Sequence, residues 1–483
     1  LLTHAHIDHS GLIPLMYVNG FRGQVYSTSA TAQLCEIMLR DSAHIQMFEA
    51  EWRNRKAARS GGKLKEFVPL YDMDAAVNVC KQFVGCEYDR VYDIAEGIKI
   101  RFTDVGHLLG SASIEVWATE KTENGDVTEK IVFSGDIGNI NKPIIKDPKH
   151  VRDADYVVME STYGNRSHGG TPNYVEDLTD IFKRTFERGG NVVIPSFAVG
   201  RTQELLYIIR KIKEDNLVGR DFDVYMDSPL AIEATNIFIK NVESCFDDEA
   251  VELVRKGINP LSFPGLKYAT TGDESKQINF DPNPKVIISS SGMCEAGRIR
   301  HHLKHNLWRP ECTIVFVGYQ AVGTTGRIIV DGAEEIKLFG EPIQIKAEIV
   351  QLKGSSGHAD KDGLLCWINA FDTKPKKVFV VHGEDSVCDE FTECLKEEYG
   401  YDAMAPYTGG SYDLIADRVI SEGVKERKTR RTTSTQRGKT VFDRLVAAGK
   451  RLMTVITHNE GGTNKDLAKF TDQINALCDK WDR

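Results

Sequence analysis

Three histidines and an aspartate fall within six positions, in His4-Ala5-His6-Ile7-Asp8-His9, and no other stretch constrains this chain as strongly. Imidazole and carboxylate are good ligands for divalent metals. Leu1-Leu2-Thr3 ahead of them reads as the end of a buried strand, and the apolar stretch from Leu12 reads as the start of a helix. The four polar side chains then sit on a turn at a strand's C-terminal end. Alternate residues of an extended segment point the same way. His4 and His6 are therefore placed to hold one metal, and Asp8 and His9, beyond the turn, a second. The bland alternative is a polar loop rich in histidine; a purely structural zinc site rarely needs four such ligands so close together. Because the chain opens on Leu1, already at a strand's end, bracing strands are expected to precede it.

The 483 residues suffice for two or three domains with a large core. Hydrophobic residues make up 41% and charged residues 27%, as in ordinary globular proteins, and no run approaches the roughly 18 apolar residues of a membrane helix. No membrane partner is expected. The ten cysteines form no CxxC pair, and the spacings Cys80/Cys86 and Cys388/Cys394 match no zinc knuckle. They are read as reduced thiols of an intracellular, cytoplasmic protein. A net charge of -9 argues against indiscriminate nucleic-acid binding but leaves room for a local positive channel.

Along the chain, residues 31–51 read as a helix with Leu34, Ile37, Met38 and Ile45 on its apolar face. A basic loop follows, from Arg53 to Lys65 around Gly61-Gly62; it is either solvated surface or a phosphate-tracking segment. Strand patterns then cover 98–102, 114–117, 131–133 and 156–159, with a turn at Asn124-Gly125. His107, Asp136 and Glu160 each stand just past a strand, which is how open sheets assemble a site.

From about Asn173 the grammar changes to alternating helix and strand, the signature of a parallel sheet. Strands are expected at 192–195, 222–226, 285–288 and 313–317. Ser196 to Arg201 and Ser289 to Met293 are small-residue loops that lead from a strand into a helix N-terminus, where free backbone N–H groups can meet an anion. With Arg201, Arg298 and Arg327 nearby, and with Ser291, Gly292, Tyr319 and Gln320 on the same kind of loop, these residues are candidate phosphate contacts. Residues 343–352 return to a strand pattern. Ser356-Gly357-His358-Ala359-Asp360 precedes a further helix, and strand 378–381 ends at His382-Gly383-Glu384. The segment from Lys425 to Lys439 reads as a flexible basic linker. Beyond it Leu467, Phe470, Ile474, Leu477 and Trp481 form one helical stripe, suited to docking on its own chain or to pairing in a homodimer.

Collected together, these strand-end residues can build a dinuclear site: His4, His6 and His107 on one metal, Asp8, His9 and His382 on the other, and Asp136 bridging. Two cations about 3.5–4 Å apart lower the pKa of a shared water and clamp attacking and leaving oxygens. Phosphodiester hydrolysis suits such a site, because its transition state demands charge neutralisation.

The pattern resembles the metallo-β-lactamase superfamily: His4 to His9 looks like its HxHxDH motif, and His107 and Asp136 like its next two ligand positions. Glu160, His358 and His382 look like motifs A, B and C of the β-CASP branch, which holds nucleic-acid nucleases. The resemblance covers residues 1 to about 420. It implies an α/β protein, an αββα metallo-β-lactamase sandwich truncated at its N-terminus and interrupted by a β-CASP α/β cap with a mainly parallel sheet. The corresponding division is 1–170 for the first part of the sandwich, 171–342 for the cap, 343–421 for the return segment, and 422–483 for the linker and helical tail. It further implies two zinc ions, with manganese and iron compatible with the same ligands. Single-stranded RNA is the implied substrate, because RNA-acting members carry histidine at the position of His382. Asp8, His358 and Glu160 are the implied catalytic residues, with His358 acting on the leaving oxygen as general acid and Glu160 orienting it. The expected activity is an endonucleolytic ribonuclease working through a metal-bridged hydroxide. A 5′-exoribonuclease, a DNA nuclease of the same branch, a small-molecule metallohydrolase and a non-catalytic RNA-processing scaffold are the alternatives.

Overall fold

The computed structural model describes residues 1–59, 67–123, 125–169, 173–352, 356–425, 449, 452–453, 455–457 and 464–481. The chain divides into two units, Leu1–Gly423 and Val424–Arg483.

The first unit holds two large sheets. One has seven strands, ordered Ala403–Met404, Lys377–Val381, Tyr156–Glu160, Gly125–Phe133, Ala112–Thr122, Ile98–Asp104 and Val91–Ala95. The pairs from Ala403 to Phe133 are parallel, and those from Gly125 to Val91 are antiparallel. One face packs helices Lys361–Ile368 and Asp385–Glu397, with Val157 and Met159 meeting Trp367 and Phe391. The other face carries Ile100, Phe102 and Ile114 against Tyr26 and Cys86. These last two belong to a small parallel sheet of Val25–Thr28 and Phe83–Cys86, the second strand layer of the sandwich. Each large apolar side chain buried this way contributes about 1.5–3 kcal/mol.

The second large sheet is the cap: six strands, all parallel, ordered Leu266–Tyr268, Asp223–Asp227, Lys285–Ser289, Val192–Pro195, Thr313–Phe316 and Glu348–Gln351. Its strands read as continuous hydrophobic runs because both faces are covered. Val192, Ile194 and Val224 pack on one side with Phe182 and Leu206, from helices Tyr174–Glu187 and Arg201–Glu214. Val193, Ile287 and Ile314 pack on the other with Ile299 and Leu303.

Five readings differ from the sequence expectation. Arg53 to Arg59, expected in a basic loop, are the end of helix Ser29–Arg59. Residues 1–6 are extended but are not a ladder strand: Leu2 N–H donates to Tyr26 O, and Thr3 O accepts from Ala112 N–H. Helix Ile7–Ser10 begins inside the motif, so Asp8 and His9 lie on its turn. The loop after Ser289 does not open a helix at once. Helix Ile299–Asn306 starts ten residues later, because Cys294 and Gly297 take left-handed φ values of 62° and 81°, which no right-handed helix accommodates. Strand Glu348–Gln351, expected with the return segment from residue 343, is instead the edge of the cap sheet; its ladder partner is Thr313–Phe316. The Asn124-Gly125 turn, the 60–66 part of the basic loop and most of the 425–439 linker lie at least partly outside the described residues. In the second unit, helix Asn464–Trp481 carries Leu467, Phe470 and Ile474 half-buried and Leu477 exposed. No helix among the described residues is long and apolar enough to cross a membrane.

Candidate metal centre

The seven expected ligand side chains converge where the extended 1–6 segment, helix Ile7–Ser10 and the ends of four strands of the seven-stranded sheet meet. His4, His6, His107 and Asp136 form one cluster of donor atoms; Asp8, His9 and His382 form another; Asp136, Glu160 and His358 form a third. Asp136 is the hub. Its Oδ2 lies 3.3 Å from His4 Nε2 and 3.5 Å from His107 Nε2, while its Oδ1 lies 3.2 Å from His9 Nε2 and 3.5 Å from His382 Nδ1. His107 Nε2 is 3.1 Å from His6 Nδ1, and His9 Nε2 is 3.2 Å from His382 Nε2. Asp8, largely exposed, approaches His382 Nε2 at 3.7 Å and His9 Nε2 at 3.8 Å.

The donor set fits divalent cations. His4 Nε2 and Asp136 Oδ1 are buried and, apart from those ion-pair contacts, form no aligned hydrogen bond, which a native fold tolerates poorly unless a ligand completes them. The outward ring nitrogens are held: His107 Nδ1 lies 3.1 Å from Gly357 O, and His382 Nδ1 lies 3.1 Å from Thr162 Oγ1. Such contacts fix a ring's orientation and leave its other nitrogen for a metal. His382 holds its place with a φ of 52°, a conformation non-glycine residues seldom adopt.

The electrostatics agree. Burial pushes the His4 and His107 imidazoles below the ordinary histidine range and His6 down to about 3, which keeps them neutral, the ligating form. Burial alone would raise the Asp136 carboxyl, but the His4 and His9 imidazoles beside it carry it well below the carboxylate range. His382 is the exception: the Asp8 carboxylate raises it to about 9, toward the charged form, so holding a cation there requires release of its proton.

Beside this centre stands a histidine–carboxylate pair. His358 Nδ1 lies 3.1 and 3.2 Å from the two Glu160 oxygens, and its Nε2 lies 4.0 Å from Asp136. Glu160 is itself buried and accepts from the Ile137 N–H at 2.6 Å. Burial acts to lower His358, but Glu160 outweighs it and the imidazole is shifted upward.

The candidate phosphate contacts are arranged differently. Ser196 and Ser291 stand at the ends of neighbouring cap strands, and Gly292 lies close against Phe197; a Cβ there would sit 3.1 Å from its ring. Tyr319 is 51% exposed, whereas Gln320 is buried and donates to Gly292 O, so it ties two loops together. The three arginines are already paired: Arg201 with Glu204 at 2.6 Å, Arg298 with Asp227 at 2.7 Å and Arg327 with Asp331 at 2.8 Å. Arg298 also donates to Ala269 O and Thr270 O, so its guanidinium braces the fold.

Other residues emerge only in three dimensions. Thr162 and Gly357 orient ligand rings, and His168 Nε2 lies 3.2 Å from His358 O. Their only sequence signal is nearness to Glu160 and His358. Asp227 and His302, both fully buried and 2.6 Å apart, carried none beyond a strand-end position.

Two family models match the chain: the Beta-Casp domain over residues 202–329 and the Zn-dependent metallo-hydrolase RNA specificity domain over 342–406. A ribonuclease of Thermus thermophilus is 34% identical over 385 residues, 80% of this chain and 81% of that protein. An RNase J-like protein of Methanocaldococcus jannaschii is 31% identical over 80% of this chain and 81% of its own length. The transcription termination factor FttA of Methanosarcina mazei is 32% identical over 84% of this chain, which spans 61% of that factor. The fold and centre define a metal-dependent hydrolase with a β-CASP insertion. The chain belongs to the β-CASP ribonuclease family of the metallo-β-lactamase superfamily and is a hydrolytic nuclease.

Proposed function

We propose that this chain is a zinc-dependent endoribonuclease acting on single-stranded RNA, with two zinc ions held by His4, His6 and His107 and by Asp8, His9 and His382, and with Asp136 between them. The observation that carries the reading is the gathering of six further donor side chains in two adjacent clusters around the buried Asp136 carboxylate, which contacts both, with the His358–Glu160 pair standing beside it. When bound, two such cations activate water and neutralise the charge that builds on a phosphodiester.

The chain's own residues do the rest. Gly357 O and Thr162 Oγ1 keep His107 and His382 turned toward the centre. His358 keeps Nδ1 on Glu160 and presents Nε2 to the site, from which a proton passes to the leaving oxygen of the scissile phosphate. Glu160 fixes that ring and stabilises its charged form. RNA is favoured by the histidine at position 382, by the description of the domain matched over 342–406, and by the names of the relatives.

The test is digestion of a 5′-labelled RNA, with its 5′ group varied, beside a DNA strand of the same sequence. Internal RNA fragments are expected. Release of single nucleotides that depends on a 5′ monophosphate would overturn the endonucleolytic mode, and equal cutting of DNA would overturn the choice of substrate. Elemental analysis of the purified protein decides between zinc and manganese or iron.

A further inference from the structure

We propose that the buried Lys142–Glu204 pair is a positioning device: it ties cap helix Arg201–Glu214 to the loop that carries His107 and so sets how tightly that histidine holds metal. The inference rests on the reading of His107 as a ligand.

Lys142 lies six residues beyond Asp136, on the loop after strand Gly125–Phe133. Its ammonium donates to the backbone carbonyl of His107 at 3.0 Å and pairs with Glu204 Oε1 at 3.2 Å. The two side chains are only 12% and 10% exposed. Glu204 sits in the first turn of helix Arg201–Glu214, and its second oxygen takes Arg201 at 2.6 Å. One cap carboxylate thus answers both a cation of its own helix and a cation bonded to a ligand's backbone.

The loop around His107 is tightly enclosed. Gly200, with a φ of 85°, brings the cap backbone so close that a Cβ there would lie 3.1 Å from Leu108 Cδ1. On the other side a Cβ on Gly138 would lie 1.9 Å from Gly106 O. A small cavity lined by His107, Leu108, Lys142, Gly200 and Glu204 separates loop from helix, and the Lys142 ammonium spans the contact. Contacts that orient a ligand from behind typically contribute about 10- to 100-fold in metal affinity or activity. A lysine that joins cap and ligand in this way makes the cap's seating part of the metal site.

The test uses the metal-loaded full chain and competition between protein and a zinc chelator. Lys142→Met should weaken the zinc held by His4, His6 and His107 about 10- to 100-fold. kcat should fall with it and recover on addition of zinc, while KM for RNA changes little. Lys142→Arg should restore part of the affinity. Glu204→Gln keeps an acceptor for the lysine, should give a smaller loss, and serves if the methionine variant does not fold. Lys130→Met, which breaks the buried Lys130–Glu115 pair of the same sheet, should lower stability without changing zinc affinity. Wild-type zinc affinity in Lys142→Met and Glu204→Gln overturns the proposal. So does a loss of affinity that merely tracks loss of stability across all variants, Lys130→Met included. His107→Ala separates the two levels: if it keeps its zinc, the ligand reading itself fails.

Discussion

The two large sheets of this protein solve opposite problems with the same polar residue types. At the ends of the mixed seven-stranded sheet, buried groups such as His4 Nε2 and Asp136 Oδ1 touch neighbouring side chains only in unaligned contacts at 3.2 to 3.5 Å and form no proper hydrogen bond, and histidine nitrogens face one another at 3.1 to 3.2 Å. At the ends of the parallel cap sheet, Asp227 is fully engaged: His302 at 2.6 Å and Ser275 at 2.5 Å on one oxygen, Arg298 at 2.7 Å on the other. A buried polar cluster whose members satisfy one another rigidifies a fold, whereas one left unsatisfied awaits a ligand. Among the described residues the cap has exceptions away from Asp227: Arg210 Nε, Arg300 Nε and Gln320 Oε1 are buried without a partner, although Gln320 Nε2 joins two loops.

The largest effect should come from Asp136→Ala. Removing the hub of the unsatisfied cluster should eliminate both bound metal, read by elemental analysis, and nuclease activity; full metal content would break the contrast between the sheets. Next is His358→Ala, which should leave metal content intact and lower kcat about 10²- to 10⁴-fold, the usual share of a positioned acid. Activity near wild type would remove His358 from the chemistry.

The converse experiment is Asp227→Ala in the cap. Stripping the carboxylate from Arg298 and His302 should destabilise the protein by about 3–5 kcal/mol in denaturant titration while leaving metal content unchanged. A loss of metal equal to that of Asp136→Ala would mean that the satisfied cluster also serves the centre.

The narrowest effect, absent at acid pH, should follow from Asp104, at the end of strand Ile98–Asp104, whose carboxyl burial raises to about 7. A raised folded-state value means that the folded protein binds a proton the unfolded chain has released. Stability from this group is therefore present at acid pH and is lost between about pH 4 and 7. Asp104→Asn, which can still accept from the Gly106 N–H, should be more stable than the natural protein at pH 8 by on the order of 4 kcal/mol in denaturant titration, with the gain vanishing near pH 4. A gain that is the same at both pH values would show that the charge of Asp104 is not its cause.

Much of this was legible in the chain because the signals are local. Strand Val192–Pro195 falls where its apolar run lies, and His107, Asp136, Glu160 and His382 are readable as strand-end residues because a hydrophobic run stops just before each. The failures are equally physical. Residues 1–3 have the composition of a strand end but make single backbone bonds to two different neighbours, which no periodicity encodes. The Ser289–Met293 loop looked like a helix start because glycine and serine suit both; the left-handed turn at Cys294 is a matter of packing. Of the arginines that suggested phosphate binding, Arg201 and Arg327 pair with carboxylates three and four positions away, a helical spacing the sequence does carry, whereas Arg298 pairs with Asp227, 71 positions away, which it does not reveal.

The opening motif by itself determined the chemistry. Three imidazoles and a carboxylate at that spacing supply donors that suit divalent metals, and hydrophobic periodicity determined that strands from residue 98 on and a parallel helix–strand series would carry the rest. What only the tertiary structure decided is which groups remain unsatisfied. His4 and Asp227 are both buried, yet one ends on an orphan nitrogen and the other amid three partners. Burial follows from local pattern, but satisfaction depends on side chains brought from distant positions to within about 3 Å. The Lys142 ammonium, on a loop of one sheet and paired with a helix of the other, exists as a feature only once the chain has folded.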